Sequence, residues 1–482
     1  MREYDVAIIG AGVSGAAVAW HLAKYKIKVA LLEKCVDVGF GVSKANSGII
    51  HGGFHHSAER TLKARLEVRG NLMFEQLQHQ LNFPFKRNGI LVVAFCDEEM
   101  ETVRTLYRQG KANGIRNLEM CGRERLLQLE PMLSSDVVGG FFAPGGGTIE
   151  PYRYVFALVE GARKSGVELF TSFDVAQAGN RGESWELTAA NGSKIAARYV
   201  VNAAGVYADE VSRVFAAEDY KITPRKGEEY LLDRHTQAAV TRVVFPVPSK
   251  VSKGILVIPT VEGTVMIGPT AEMTESKEDL TTSGDNQQRI VAQVKHMVNG
   301  VSINDVITSF AGLRPTLPGD DFYIAPSEKA ERFVQVAGIQ SPGLTASPAI
   351  GEYVKDLLKE MGLELVEKPG AQPQIPLLPE IRHLSIEEID ALYAENPAYA
   401  HVVCRCEKIS EAEIVAAIRQ GHTTIDGIKF YTRSGMGRCQ GGFCTEKIIK
   451  IICRETGMTP DEITKRGGAS RLIAGELGRG EK

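Results

Sequence analysis

Four cysteines near the C-terminal end have the types and spacing of an inorganic-cofactor site. Cys404 and Cys406 form a C-x-C pair, and Cys439 and Cys444 form a C-x4-C pair. Four thiolates are the ligand set of a [2Fe–2S] cluster or of a structural zinc ion. Each pair is short enough to sit on one loop and aim at one centre. The second lies in Gly435-Met-Gly-Arg-Cys-Gln-Gly-Gly-Phe-Cys444. Its glycines let the backbone approach a buried metal or sulfide and leave amide N–H groups for the sulfurs. A zinc knuckle and a set of disulfides are the alternatives. Zinc knuckles more often use C-x2-C pairs, and neither pair contains a His. Disulfides belong to oxidising compartments, and the N-terminus reads as a strand entering a glycine motif, not as a signal peptide. The iron–sulfur site is therefore the expectation. A cluster moves single electrons, so another part of the chain is expected to work on a substrate.

That part begins at the N-terminus. Tyr4-Asp-Val-Ala-Ile-Ile9 is a continuous apolar strand of the parallel-sheet kind. Gly10-Ala-Gly12-Val-Ser-Gly15 follows, then an apolar helix, then a second strand, Lys28-Val-Ala-Leu-Leu-Glu33. Gly10 permits the tight turn, Gly12 lets a pyrophosphate approach, and Gly15 lets helix pack on strand. Glu33 stands 21 residues after Gly12, where an acid binds a ribose hydroxyl. The alternative, a glycine-rich structural turn, lacks this strand–turn–helix–strand–acid context. Further strands of the same sheet are expected at Gly166–Val175 and at Tyr199-Val-Val-Asn-Ala-Ala-Gly205. A nucleotide domain with long insertions favours FAD over NAD, as does a cluster that needs a donor of single electrons.

The rest of the chain must position these groups. At 482 residues it is too long for one core, so two or three domains are expected. A composition of 44% hydrophobic and 24% charged residues is that of an ordinary soluble globular protein. A net charge of −3 gives no reason to expect a nucleic-acid partner. No apolar run approaches the ~20 residues that span a bilayer. These features point to a cytoplasmic protein, peripheral at a membrane only through partner subunits. Cys35, Cys96, Cys121 and Cys453 have no partner at motif spacing and read as small apolar residues in or near the core. Ser385 and Ser410 each open a capped helix, and Thr445–Glu455 reads as another. Lys368-Pro-Gly-Ala-Gln-Pro-Gln-Ile-Pro376 has linker composition, and Gly478–Lys482 reads as a frayed end.

Gly10–Glu33, Ser43-Lys-Ala-Asn-Ser-Gly-Ile-Ile-His51-Gly-Gly, Asn202-Ala-Ala-Gly205 and Ser341-Pro-Gly-Leu-Thr-Ala-Ser-Pro348 resemble the D-amino-acid-oxidase-type flavoproteins. Within that group the chain is most similar to glycerol-3-phosphate dehydrogenases and oxidases, with L-2-hydroxyglutarate dehydrogenases next. The segments Lys253–Pro259, Gly268–Ala271 and Ser309–Pro315 favour the glycerophosphate branch. The cysteine region resembles the bacterioferritin-associated-ferredoxin-like [2Fe–2S] domain. The resemblance implies an α/β fold: a Rossmann-like FAD part (about 1–85, 150–215 and 310–365) and an antiparallel-sheet substrate part (about 86–149 and 216–309). A linker (366–400), a small helical cluster domain (401–455) and a tail (456–482) follow. It also implies FAD contacts at Ser43, Val175, Gly205, Gly343 and Thr345, beside Gly10, Gly12, Gly15 and Glu33.

Oxidising a secondary alcohol removes a hydride and a hydroxyl proton. On its residues alone His51 reads as a structural histidine. The resemblance places it beside the flavin as the base, a role that suits a neutral imidazole near pH 7. Gly52 and Gly53 are then expected to let the ring system come close, with His55 and His56 at the surface or behind the site. Arg314, between Gly312 and Pro315, suits a bidentate clamp on phosphate or carboxylate. Lys253 would add a point charge, and Ser47 and Ser341 would add hydroxyls. The resemblance places substrate contacts at all four. Gln340 stands where some glycerophosphate enzymes carry Lys, which removes one expected cation. The leading reading is an FAD enzyme that oxidises glycerol 3-phosphate and passes electrons through a [2Fe–2S] cluster to a partner protein or quinone. A 2-hydroxy-acid dehydrogenase and a non-catalytic electron-transfer subunit are the alternatives.

Overall fold

The computed structural model describes residues 1–248, 254–371, 374–376 and 378–475. The chain divides into two compact units. One comprises Met1–Lys34 with Val38–Ile375, and the other Cys35–Asp37 with the residues from Pro376 onward.

Among the described residues, the larger unit is built on two large sheets and a small one of three short strands. In the first, β1 (Arg2–Ile9) lies between β2 (Val29–Leu32) and the long strand β4 (Lys194–Asn202), parallel to both. Strand β3 (Glu168–Phe170) extends the parallel set beyond β2, and β7 (Phe333–Ala337) extends it beyond β4. Continuous burial of β2 and β7 matches strands covered on both faces. Helix α1 (Val13–Leu22) is buried from Ser14 to Leu22. It packs on α2 (Gly343–Glu360) and on Pro151–Lys164. The expected single strand over Gly166–Val175 is two strands. Ser172 adopts φ 53° and breaks the run. After the break Val175 opens a strand, Val175–Asn180, on the far side of the sheet from β3.

The second sheet has nine strands and is antiparallel except where Val243–Pro246 runs parallel to Ile90–Ala94. Its longest pairing joins β5 (Thr223–Leu232) to β6 (Val306–Thr316), with Arg225 opposite Arg314 and Gly227 opposite Gly312. The expected boundary at 310 therefore falls inside β6. The nucleotide sheet resumes at Tyr323–Pro326, which pairs with β7.

The smaller unit is mainly helical. Helix α3 (Ile386–Glu395) and helix α4 (Glu411–Gln420) both start with complete capping boxes, from Ser385 with Glu388 and from Ser410 with Glu413. Helices α5 (Ile425–Thr432) and α6 (Thr445–Thr456) follow, and α6 buries Ile448, Ile449, Ile451 and Ile452 along one face. The segment read as a tail is partly structured. Thr464 bridges to Arg471, and the carbonyls of Thr464 and Lys465 accept from Ile425 and Asp426 at the start of α5. Gly478–Lys482 lies outside the described residues. No described helix is long and apolar enough to cross a membrane.

Candidate functional site

The N-terminus of α1 is shaped for a phosphate. Gly10 has φ +100°, and a Cβ there would sit 2.5 Å from the Ala203 carbonyl oxygen. A Cβ on Gly15 would sit 1.9 Å from the Gly10 carbonyl oxygen, so helix and turn touch only because both are glycine. Gly12 caps the helix without a side chain. Val13 N–H donates to Ser43 Oγ at 2.9 Å, and Ala11 N–H donates to Glu33 Oε2 at 2.9 Å. Glu33 is thereby held at the end of β2, beside the turn. Aligned amides with the positive end of a helix dipole form a ready anion site.

Val13 and Ser43 line one end of a cleft of about 570 Å³ that also contains Ser47, His51, Glu229, Arg314 and Ser341. The two-residue period of β5 puts Arg225, Gly227 and Glu229 on one face, and pairing sets Gly312 and Arg314 beside them. Arg314 donates from Nε to the Arg225 carbonyl at 3.2 Å, and from Nη2 to the carbonyls of Thr270 at 2.6 Å and Lys226 at 3.3 Å. Burial lowers its pKa to about 10, an effect opposed by Glu229, and it remains cationic at neutral pH. Arg314 sits within the continuous strand β6. Lys253 lies outside the described residues.

His51 follows the two-residue strand Ile49–Ile50. Its N–H donates to Thr345 Oγ1 at 2.9 Å, and its carbonyl accepts from Asn71 Nδ2 at 2.6 Å. Its ring Nε2 is 3.3 Å from Ser341 Oγ. Thr345, buried in the first turns of α2, fixes the His51 backbone from behind, while Gly343 lines the cleft. Gly52 and Gly53 serve internal packing: added Cβ atoms would meet Phe54 at 2.9 Å and Ile115 at 2.7 Å. His55 and His56, expected at the surface or behind the site, line the cleft. Val175 is not among the lining residues and is buried with Trp185 and Leu187. Gly205 has φ +60° and open space beside its Cα.

Sequence reasoning missed Lys63, Arg225, Glu229 and Asp320, which also line the cleft. Lys63 Nζ donates to Asp320 Oδ2 at 2.7 Å, and Gln340 Nε2 donates to Asp320 Oδ1 at 2.5 Å. Arg225 Nη1 donates to Gln340 Oε1 at 3.4 Å. The amide that replaces an expected lysine therefore sits between the Arg225 guanidinium and the Asp320 carboxylate. The one available signal was the alternation Arg225-x-Gly227-x-Glu229, which places two charges on a single strand face.

In the smaller unit the cysteines meet in two pairs. Cys406 Sγ lies 3.6 Å from Cys439 Sγ, too far for a disulfide. Cys404 pairs with Cys444, and its thiol is lowered to about 6 by the hydrogen bond from Cys444, helped by the Gly435 and Glu407 amides. Among the described residues no three His, Cys, Asp or Glu side chains converge on one point as a single ion requires. Two thiolate pairs ringed by backbone N–H donors fit a two-iron cluster better. Glu407, next to Cys406, accepts from Arg433 Nε at 3.0 Å, and both side chains are at most 5% exposed. Glu407→Ala is expected to destabilise this unit by about 3–5 kcal/mol, the usual cost of stranding a buried charge. Denaturant unfolding followed by helix signal checks this, and a change within error would show the pair to be idle.

Comparison with known proteins decides the family. The model for FAD dependent oxidoreductases matches residues 5–357, and the model for BFD-like [2Fe-2S] binding domains matches residues 402–454. This chain belongs to the FAD dependent oxidoreductase family. It is 41% identical over 474 residues to a glycerol 3-phosphate dehydrogenase of Caloramator mitchellensis, covering 98% of each chain. It is 32% identical to a glycerol 3-phosphate oxidase of Mycoplasma pneumoniae, over 77% of this chain and 97% of that one. The structure of dithionite-reduced L-alpha-glycerophosphate oxidase from Mycoplasma pneumoniae with FAD bound superposes with a TM-score of 0.75 at 31% identity, over 78% of this chain and all of that one.

This FAD oxidoreductase is thus glycerol-3-phosphate dehydrogenase-like, with FAD and a [2Fe–2S] site as its cofactors. The residues present fit the flavin nucleotide. The turn from Gly10 to Gly15 with the α1 N-terminus would take the pyrophosphate, and Glu33 would take the ribose.

Proposed function

We propose that this enzyme oxidises sn-glycerol 3-phosphate to dihydroxyacetone phosphate and passes the electrons through its [2Fe–2S] site to an external acceptor. The observation that carries the reading is Arg314, a buried guanidinium pinned by three carbonyls in the same cleft as His51. A cation held so rigidly suits a phosphate, and Arg225 in the same cleft adds positive charge, while Lys63 is paired with Asp320. Bound FAD supplies the hydride acceptor and can release electrons singly. The chain's own residues do the rest. Arg314 and Ser341 orient the substrate, and His51 takes the hydroxyl proton at a ring nitrogen.

Anaerobic bleaching of the flavin by a panel of glycerol 3-phosphate, L-2-hydroxyglutarate and amino acids tests the reading. Rapid bleaching by glycerol 3-phosphate is expected, and bleaching only by another member would overturn it. Arg314→Ala is expected to raise KM by about 10–100-fold, the worth of a charge-assisted hydrogen bond, and Arg314→Lys by less, because it keeps charge and loses the fork. Equal KM values in both variants and the wild type would make Arg314 a bystander.

A further inference from the structure

Two adjacent glutamates on β5 are buried in opposite circumstances. Glu228 is 1% exposed and Glu229 is 2% exposed. Glu228 accepts from Tyr230 Oη at 2.9 Å, Ser283 N–H at 2.9 Å and Asn286 Nδ2 at 2.7 Å. Glu229 faces the cleft and accepts from Ser47 Oγ at 2.7 Å. Its second oxygen, Oε2, is buried without a hydrogen-bond partner among the described residues. Such an oxygen is costly to keep, and its retention in a cleft asks for a purpose.

Ser47 supplies the purpose. A serine hydroxyl has one proton and two lone pairs. By donating to Glu229, Ser47 turns only lone pairs toward the cleft, which it also lines. It then accepts from a ligand hydroxyl and has nothing to offer a carboxylate. A carboxylate there would also face the negative charge of Glu229.

We propose that Glu229, acting through Ser47 as a positioning residue, makes the site select substrates with a neutral hydroxymethyl group beside the carbinol carbon and reject 2-hydroxy acids. This rests on the glycerol 3-phosphate reading and extends it to the group that distinguishes that substrate from its nearest rival. Glycerol 3-phosphate carries one anionic group, for Arg314, and, beside the reacting carbinol, a second neutral hydroxyl, for Ser47. A 2-hydroxy diacid carries two anionic groups and no second hydroxyl. A site built around a hydroxyl donor discriminates strongly against a ligand that lacks it.

The charges around Glu229 agree. Arg314, on the neighbouring strand β6, acts on it through charge, and Arg225 lies on the same face of β5. Among the described residues, His51, His55, His56, Lys63 and Asp320 complete the ionisable lining. Gly268-Pro-Thr-Ala271, packed against the Glu229 side chain at Gly268, contributes none. Burial raises the Glu229 pKa to about 7 while Ser47 and Arg314 pull it down. Below that pH a neutral Glu229 donates to Ser47, which frees the serine proton for an anion. Carboxylate ligands should therefore bind better as pH falls through about 7.

The test uses two ligands with the oxidised holoenzyme: dihydroxyacetone phosphate, which has no carbinol to oxidise, and 3-phosphoglycerate, which puts a carboxylate where the hydroxymethyl stands and whose binding is read before any flavin bleaching. Their Kd values are read from the flavin absorbance change at several pH values. Wild type is expected to prefer dihydroxyacetone phosphate by at least tenfold above pH 7. Glu229→Gln should cut that preference at least tenfold and abolish the part of its pH dependence that the histidines do not cause. Ser47→Ala, which leaves the Glu229 charge facing a ligand carboxylate, should weaken dihydroxyacetone phosphate and so reduce the preference by less than Glu229→Gln does. An unchanged preference in either flavin-loaded variant overturns the proposal. If neither ligand binds wild type and glycerol 3-phosphate fails to bleach it, the substrate reading itself has failed.

Discussion

His51→Ala is expected to keep its FAD and to slow flavin reduction by glycerol 3-phosphate by about two to four decades, the usual worth of a positioned general base. The residue is only 7% exposed and lines the cleft, so its truncation opens space into the cleft and not into the core. Its backbone is tied on both sides, by Thr345 and by Asn71, so the substitution should leave the chain path intact. Ser341 at 3.3 Å from Nε2 holds one ring nitrogen, and the tautomer decides which nitrogen is free to accept a proton. Anaerobic stopped-flow measurement of the first flavin reduction isolates the step. A rate within a factor of three of wild type would remove His51 from proton transfer.

The second large effect concerns the exit of electrons. Replacing Cys439 and Cys444 together by Ser takes one thiolate from each cysteine pair. Flavin bleaching by substrate should survive, because every described residue that lines the cleft belongs to the larger unit. Turnover with the physiological acceptor should fall below detection, because single electrons then lack their carrier. Full turnover in the double variant, or zinc in place of iron in the native protein, would overturn the relay.

Local signals were legible in the sequence, and convergent ones were not. Gly10, Gly12, Gly15 and Glu33 lie within one strand–turn–helix–strand unit, so their geometry follows from spacing alone. The Ser385 and Ser410 caps are equally local, since each box closes within four residues. The break at Ser172 was invisible because Gly166–Val175 keeps strand composition on both sides of one left-handed residue. Glu229 escaped notice for another reason. Its meaning depends on a serine 182 positions earlier and on the register of β5 against β6. Lys63, Arg225 and Gln340 meet at Asp320 from four separate stretches of chain, and no window along the sequence contains them together.

The glycine pair across β5 and β6 has a practical consequence for anyone engineering this enzyme. A methyl group on Gly227 would sit 2.8 Å from Arg314 Nη2, and one on Gly312 would sit 2.0 Å from the Ala45 carbonyl oxygen. Neither glycine carries a functional group. In a saturation library screened for activity, both positions should nevertheless score as intolerant as the arginine they make room for. A ranking of positions by mutational sensitivity would then mix the residues that perform the chemistry with those that leave space for it. Libraries that vary Gly227 and Arg314 together, pairing a larger residue with a shorter cation, are the route to new specificities along this wall.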